Sequence, residues 1–312
     1  MKNKKIIGFV RPVDYNEMRE ILGGFSERYG FLAFSDIGKS IFDRRIPVVR
    51  FGEGKRRIIY VGAHHGSEWM TSALLLRFIN ELSELYKCDG NVEGISVKEL
   101  FHYVEINVIP MLNPDGVEMS IHGISEDNVM FTRLKSMNKE SLDFTNWQSN
   151  GRGVDLNHNY NWGFAEYKKL EQEAGIECGA PTRYSREYPE SEPEVGYLCN
   201  FIRFCGGFSG ALSFHSQGEE IYFKCGDFCP TNAERVARYF SGLCGYSLGK
   251  AEGMAAYGGF TEWFINEFDR PSFTVECGKG SNPLPLSDLP MIYIRLRRLL
   301  FEAPLILARL YS

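Results

Sequence analysis

The chain of 312 residues is 44% hydrophobic and 24% charged, which is enough apolar material for one large domain or two ordinary ones. Its formal net charge of -5 and pI near 5.8 argue against nucleic-acid partners, which need a basic face. No stretch approaches the ~18 apolar residues of a membrane span. The lysine-bearing start loses its apolar run at Val10, too early for a secretion signal, so a cytoplasmic protein is expected.

In chain order, residues 14–29 predict an amphipathic helix capped by Asp14, with Glu17 three positions on and Met18, Ile21, Leu22 and Phe25 at helical spacing. Extended segments follow at 31–37 and 45–51, and residues 57–62 (RIIYVG) read as a buried strand. Leu74, Leu75, Phe78, Ile79 and Leu82 share a helical face between 68 and 85. A second buried strand is expected at 103–111, ending in the turn Asn113-Pro114-Asp115-Gly116. Residues 117–152 read as polar and irregular.

Further on, 193–204 predicts a helix, 210–215 a third strand, 231–245 a helix, 273–276 a fourth strand, and 289–311 a closing helix. Strands alternating with helices, without repeat or linker, indicate one α/β domain over 1–312, a three-layer α/β/α arrangement around a central mixed sheet, with residues 1–50 packed on its catalytic part. Eight cysteines are expected to be buried thiols. Cys225 and Cys229 lack the second pair that a structural zinc site requires.

The strongest chemical signal is His65-Gly66-Ser67-Glu68, placed directly after a strand, where α/β sheets collect ligands. A histidine and a glutamate three apart at the entry to a helix can face one cation, and catalytic zinc needs only three protein ligands plus water. By itself the pair is a weak signal, equally compatible with a solvated turn. His215 closes the third strand at a corresponding edge, and Glu276 ends the fourth; the latter could pair with Lys279 or act as a base beside a metal. His64, His102 and His122 are less well placed for ligation.

Together these segments resemble the zinc carboxypeptidase family, from about Ile37 to the C-terminus. Gly62–Trp69 looks like its first zinc motif, Asn113–Gly116 its turn, Gly153–Asn157 its substrate-positioning segment, Ser213–His215 its third ligand, and Phe273–Glu276 its catalytic glutamate. The resemblance implies one zinc per chain on His65, Glu68 and His215, as in the His₂Glu site of carboxypeptidase A, with Glu276 as general base. Segments 147–157, 216–222 and 278–285 look like bacterial γ-D-glutamyl-diaminopimelate endopeptidases, which implies a small muropeptide substrate and leaves the oligomeric state open.

Three departures bear on the substrate. His158 stands where typical carboxypeptidases have a carboxylate-binding arginine, beside Asn157. Met254 takes the place of the covering tyrosine, with Tyr257 displaced nearby. Arg152 and Arg133 compete to polarise the scissile carbonyl, Arg152 being favoured by its position next to the substrate segment. The competing readings are a carboxypeptidase releasing C-terminal residues, an amidohydrolase of the desuccinylase or aspartoacylase type, and a catalytically silent zinc-fold binder of wall peptides.

Overall fold

The computed structural model describes residues 7–310; the lysines of the signal-like start, and Tyr311 at the expected end of the closing helix, lie outside them. Helix α1 (Tyr15–Arg28) begins as expected, with Asp14 accepting the Glu17 amide at its N-cap. The strand pair β1 (Ala33–Lys39) and β2 (Arg45–Phe51) precedes β3 (Arg56–Gly62) and helix α2 (Met70–Lys87). A two-residue hairpin, β4 (Asn91–Val92) and β5 (Ile95–Ser96), and the short helix α3 (Val97–Tyr103) lead into β6 (Val104–Ile109). Tyr103 therefore closes a helix and does not open the strand.

The segment expected to be irregular from 117 onward holds two helices, α4 (Pro114–His122) and α5 (Phe131–Met137). The supposed turn at Asn113–Gly116 is the start of α4: Asn113 accepts the Gly116 amide as N-cap, and Pro114 fills the first helical position, where its missing N–H costs nothing. Next come α6 (Phe164–Glu173), which periodicity did not reveal, and α7 (Pro193–Cys205). The rest of the chain comprises β7 (Phe208–His215), β8 (Glu220–Tyr222), α8 (Ala233–Cys244), β9 (Ser247–Leu248), α9 (Phe260–Phe268), β10 (Ser272–Glu276) and α10 (Leu289–Leu310).

Eight strands form one mixed sheet in the order β1-β2-β6-β3-β7-β10-β8-β9, with β6, β3, β7 and β10 mutually parallel. Parallel strands need covering on both faces, and the side chains alternate accordingly. Ile58 and Tyr60 of β3, Leu212 and Phe214 of β7, and Phe273 and Val275 of β10 pack towards α2, α8 and α10. Ile59 and Val61 of β3 and Ala211 of β7 pack towards α7 and α9, against Leu198, Ile202, Phe260 and Trp263. Each large buried side chain contributes ~1.5–3 kcal/mol relative to exposure, so both layers are needed to hold these strands flat against each other. This is the three-layer α/β/α arrangement anticipated from the alternation of elements.

Residues 33–51 join the sheet through β2, which pairs antiparallel with β6. Their hairpin is tied down by Asp115 of α4, whose carboxylate accepts from Ser40 Oγ and the Phe42 amide at 2.8 Å each and from the Arg44 guanidinium at 2.7 Å. Glu194 of α7 lies fully buried at the same junction and accepts the Ile41 amide at 3.3 Å. Burial, and then the charge of Asp115, pushes its carboxyl up to about 8. The folded chain thus keeps a proton that the unfolded chain releases above the ordinary carboxyl range. The corresponding stability is complete at acid pH and is lost as pH rises through about 8. Glu194→Gln stays neutral and retains an acceptor for Ile41, so its melting temperature should gain on the parent as pH rises from ~4.5 to ~8. A pH-independent difference between the two would refute this account.

Candidate active site

Three neighbouring parallel strands, β3, β7 and β10, end at the same edge of the sheet, and each end delivers chemistry there. His65 and Glu68 come from the single 3-10 turn after β3; His215 is the last residue of β7, and Glu276 the last of β10, directly opposite it in register. Gly66 lets this turn sit close to its supports: a Cβ there would lie 2.3 Å from the Gly116 carbonyl oxygen and 2.7 Å from that of Trp147. Asn113 locks the arrangement, its Nδ2 donating to the carbonyls of His64, Gln148 and Ser149. The motif at 113–116 thus clamps the His65 loop through Asn113 and the N-terminal hairpin through Asp115.

His65 Nδ1 lies 2.9 Å from Glu68 Oε1, His215 Nδ1 lies 3.0 Å from Glu68 Oε2, and the two Nδ1 atoms are 3.3 Å apart. All three donor atoms lie within 4.8 Å of one another. Glu68 and His215 are almost wholly buried, at 2% and 1% exposure. Burial alone would raise the Glu68 carboxyl, but His65 and then His215 hold it down at about 2. Two imidazole nitrogens and a carboxylate facing one point could hold a cation between them, and this donor set would suit zinc.

Hydrogen bonds at the outer nitrogens favour the tautomers in which both Nδ1 atoms turn a lone pair towards that point. His65 Nε2 donates to Asp155 Oδ1 at 3.0 Å. With His215 Nε2 donating to Ser213 Oγ at 3.0 Å, the Ser213 hydroxyl donates to His64 Nδ1 at 3.2 Å, and His64 Nε2 donates to the Tyr160 hydroxyl at 2.9 Å. Burial, followed by the neighbouring His215 and His65, lowers the His64 pKa well below its ordinary value, which suits this neutral relay. Glu68 is steadied by the Ser216 amide at 3.3 Å and by Asn282 Nδ2 at 3.5 Å.

Asp155 also accepts from the amides of Asn157 and Arg183 and from Thr182 Oγ1. Burial opposes its ionisation, but His65 and then His158 hold it below the usual carboxylate range. Asp155→Asn keeps the shape but loses the charge behind His65, so zinc affinity should fall ~10–100-fold with the fold intact. Chelator competition measures this, and an unchanged affinity would show that Asp155 does not tune the ligand.

Glu276 is partly exposed, and no hydrogen bond to its carboxylate is found among the described residues. Burial, then the charge of Glu68, raises its pKa well above the ordinary carboxyl value. Lys279 pairs with Glu219 at 3.3 Å, leaving Glu276 free of the ion pair that sequence alone allowed.

The expected substrate contacts are more scattered. Asn157 Oδ1 accepts the Phe260 amide at 3.1 Å. His158 Nδ1 donates to the Tyr257 carbonyl at 3.0 Å, and its ring stacks on Tyr167 with centroids 4.2 Å apart. Burial lowers its pKa, so at neutral pH it is an uncharged group with only Nε2 to offer. Tyr257 stacks on Trp162. Arg152 turns its Nε towards the buried Glu192 at 3.5 Å, whereas Arg133 is exposed on α5.

Sequence reasoning quoted Asp155 and Ser213 within motifs and set His64 aside, but gave no role of their own to these or to Thr182 and Asn282, because those roles arise only from tertiary neighbours. It passed over Arg183, which is exposed beside the Asp155 carboxylate and whose charge acts on His158.

Residues 18–292 match the family model described as zinc carboxypeptidase. The chain belongs to the zinc carboxypeptidase family. It is 31% identical to gamma-D-glutamyl-L-diamino acid endopeptidase 1 of Lysinibacillus sphaericus over 289 residues, covering 93% of this chain and 71% of the relative. It is 26% identical to carboxypeptidase A1 of Bos taurus over 273 residues, covering 81% of this chain and 59% of the relative. Among solved structures, the bovine thrombin-activatable fibrinolysis inhibitor superposes with a TM-score of 0.71 at 20% identity, covering 96% and 97% of the two chains. Membership of the family makes the protein a zinc metallopeptidase, and the convergence of His65, Glu68 and His215 provides a place for the metal. No helix among the described residues is long and apolar enough to cross a membrane.

Proposed function

We propose that the protein hydrolyses the amide between the D-glutamate side chain and diaminopimelate in peptidoglycan stem peptides. It would use one zinc per chain held by His65, Glu68 and His215. The reading rests above all on Glu276 standing beside His215 at the strand ends where those three side chains converge. The 31%-identical relative that bears the name of a γ-D-glutamyl diamino-acid endopeptidase supports the substrate class.

When bound, zinc lowers the pKa of water from ~15.7 towards ~7 and polarises a carbonyl oxygen. Glu276 takes the proton of the attacking water and returns it to the leaving nitrogen. A carboxylate with a raised affinity for protons and no competing hydrogen bond is suited to both transfers. Arg152, with Arg133 and Arg183 as alternatives, is assigned the carbonyl oxygen. Asn157, His158 and Tyr257 are assigned to the substrate backbone.

A neutral His158 offers a carboxylate one hydrogen bond where an arginine offers a bidentate fork, which speaks against a general carboxypeptidase. The deciding experiment incubates the zinc-loaded protein with L-Ala-γ-D-Glu-diaminopimelate beside a panel of ordinary α-linked peptides, with mass spectrometry of the products. Release of free diaminopimelate is expected. Release of C-terminal residues from the α-linked panel, with the tripeptide left intact, would make the protein a carboxypeptidase instead. Zinc binding with hydrolysis of neither would make it a silent binder.

A further inference from the structure

Arg183 lies in the segment between α6 and α7, with its backbone in the left-handed region at φ 67°. An arginine rests there only when its surroundings hold it, and both of its backbone groups are held. Its amide donates to Asp155 Oδ2 at 2.9 Å, and its carbonyl accepts from the Tyr167 hydroxyl at 2.8 Å. Asp155 is the carboxylate behind His65, and the Tyr167 ring stacks on His158 with centroids 4.2 Å apart. Arg183 is therefore pinned between the support of a metal ligand and the histidine that stands where typical carboxypeptidases have an arginine.

The side chain itself is exposed, and its guanidinium makes no hydrogen bond or ion pair among the described residues. Neighbouring acids have other partners. Asp155 Oδ1 takes His65 Nε2 and the Asn157 amide, and Oδ2 takes the Thr182 hydroxyl beside the Arg183 amide. Glu187 accepts from Arg186 at 2.8 Å and from Tyr184 at 3.2 Å. Glu171 accepts from Lys168 at 2.8 Å and from Ser185 at 2.6 Å. Arg152, by contrast, turns to the buried Glu192. Arg183 is thus a cation with a fixed base and a free tip, and its charge reaches His158.

We infer that Arg183 determines specificity: its guanidinium holds a substrate carboxylate that flanks the scissile amide, a task for which position 158 offers no arginine. The γ-linked tripeptide has two such groups, the free α-carboxylate of D-glutamate on the acyl side and the α-carboxylate of diaminopimelate on the amine side. An α-linked peptide has no counterpart to the first, because its own α-carbonyl is the one being cleaved. The planar guanidinium offers a carboxylate two parallel hydrogen bonds where His158 offers one. With Arg183 engaged in this way, the carbonyl oxygen is left to Arg152 or Arg133. The inference rests on the peptidase reading above and adds to it the side chain that reads the charge beside the cleaved bond.

The test measures the zinc-loaded full chain on three peptides. The first is L-Ala-γ-D-Glu-meso-diaminopimelate. In the second the glutamate α-carboxylate is a carboxamide, and in the third the α-carboxylate at the acylated centre of diaminopimelate is a carboxamide. The parent protein should favour the first peptide over at least one of the amides by about thirtyfold in kcat/KM, mainly through KM, as expected for a charge-assisted pair. The amide that suffers names the carboxylate. Arg183→Gln keeps the backbone bonds to Asp155 and Tyr167 and should shrink that preference to within about threefold, with Arg183→Lys in between. Equal cleavage of all three peptides by the parent protein overturns the proposal, whether or not the variants fold. So does an Arg183→Gln variant that slows all three by the same factor, as a purely structural role would. In either case the peptidase reading stands, whereas cleavage of none of the three removes that reading and this inference with it.

Discussion

Glu276→Gln is expected to lower kcat/KM by ~10²–10⁴-fold while zinc remains bound. The amide matches the carboxylate in size and keeps β10 in register with β7, but cannot accept and return a proton. The ligand atoms of His65, Glu68 and His215 are untouched, so metal content separates this loss from structural damage. Among the described residues the carboxylate has no hydrogen-bond partner whose release would disturb the strand end. The measurement is a steady-state assay on the tripeptide together with metal analysis of the same preparation. Residual activity within tenfold of the parent would remove Glu276 as the base, and loss of zinc would assign it a role in holding the metal.

His215→Ala is expected to act one step earlier, by weakening the metal itself. Structural zinc sites with four ligands bind with ~10–16 kcal/mol, so an even division gives ~3 kcal/mol per ligand, or about two orders of magnitude in affinity. Activity should fall with occupancy and recover in part at high zinc, a rescue that Glu276→Gln does not show. The substitution also opens a space behind β7 and leaves Ser213 Oγ without the donor it accepts from. A companion variant, Ser213→Ala, separates the two effects: it removes the outer hydrogen bond and keeps the ligand. If His215→Ala bound zinc as tightly as the parent, the His65–Glu68–His215 centre would not be the metal site.

The parts of the molecule legible in the sequence were those whose physics is local. Strand β3 announced itself because burial on both faces leaves it apolar from Ile58 to Val61, and α2 and α10 because one face repeats at helical spacing. Helix α4 was read as a turn because its Asn-Pro-Asp-Gly start uses residues common to turns and N-caps alike, although the cap of Asn113 was there to be seen. Helix α9 and strands β8 and β9 are short, and their pattern makes sense only against the neighbours they pack on.

The same division runs through the site. His65, Glu68, His215 and Glu276 stood out because each is a reactive group next to an apolar strand. Asp155 is 90 residues from the histidine it steadies, and nothing around it in the chain signals that bond. Ser213 and His64 are likewise ordinary in sequence and become a relay only when β3 and β7 lie side by side.

The distance along the chain between the metal-binding groups also shapes how the protein is made. Glu68 and His215 meet across 147 residues, and they do so only through pairing of β3 with β7. Small zinc modules use the ion to nucleate a chain that is otherwise unstructured. Here the donors come together with the sheet, through long-range strand pairing, so the ion is expected to fill a place that the fold itself builds. Loss of the ion is therefore expected to leave the sheet standing and to take away only the chemistry at its edge.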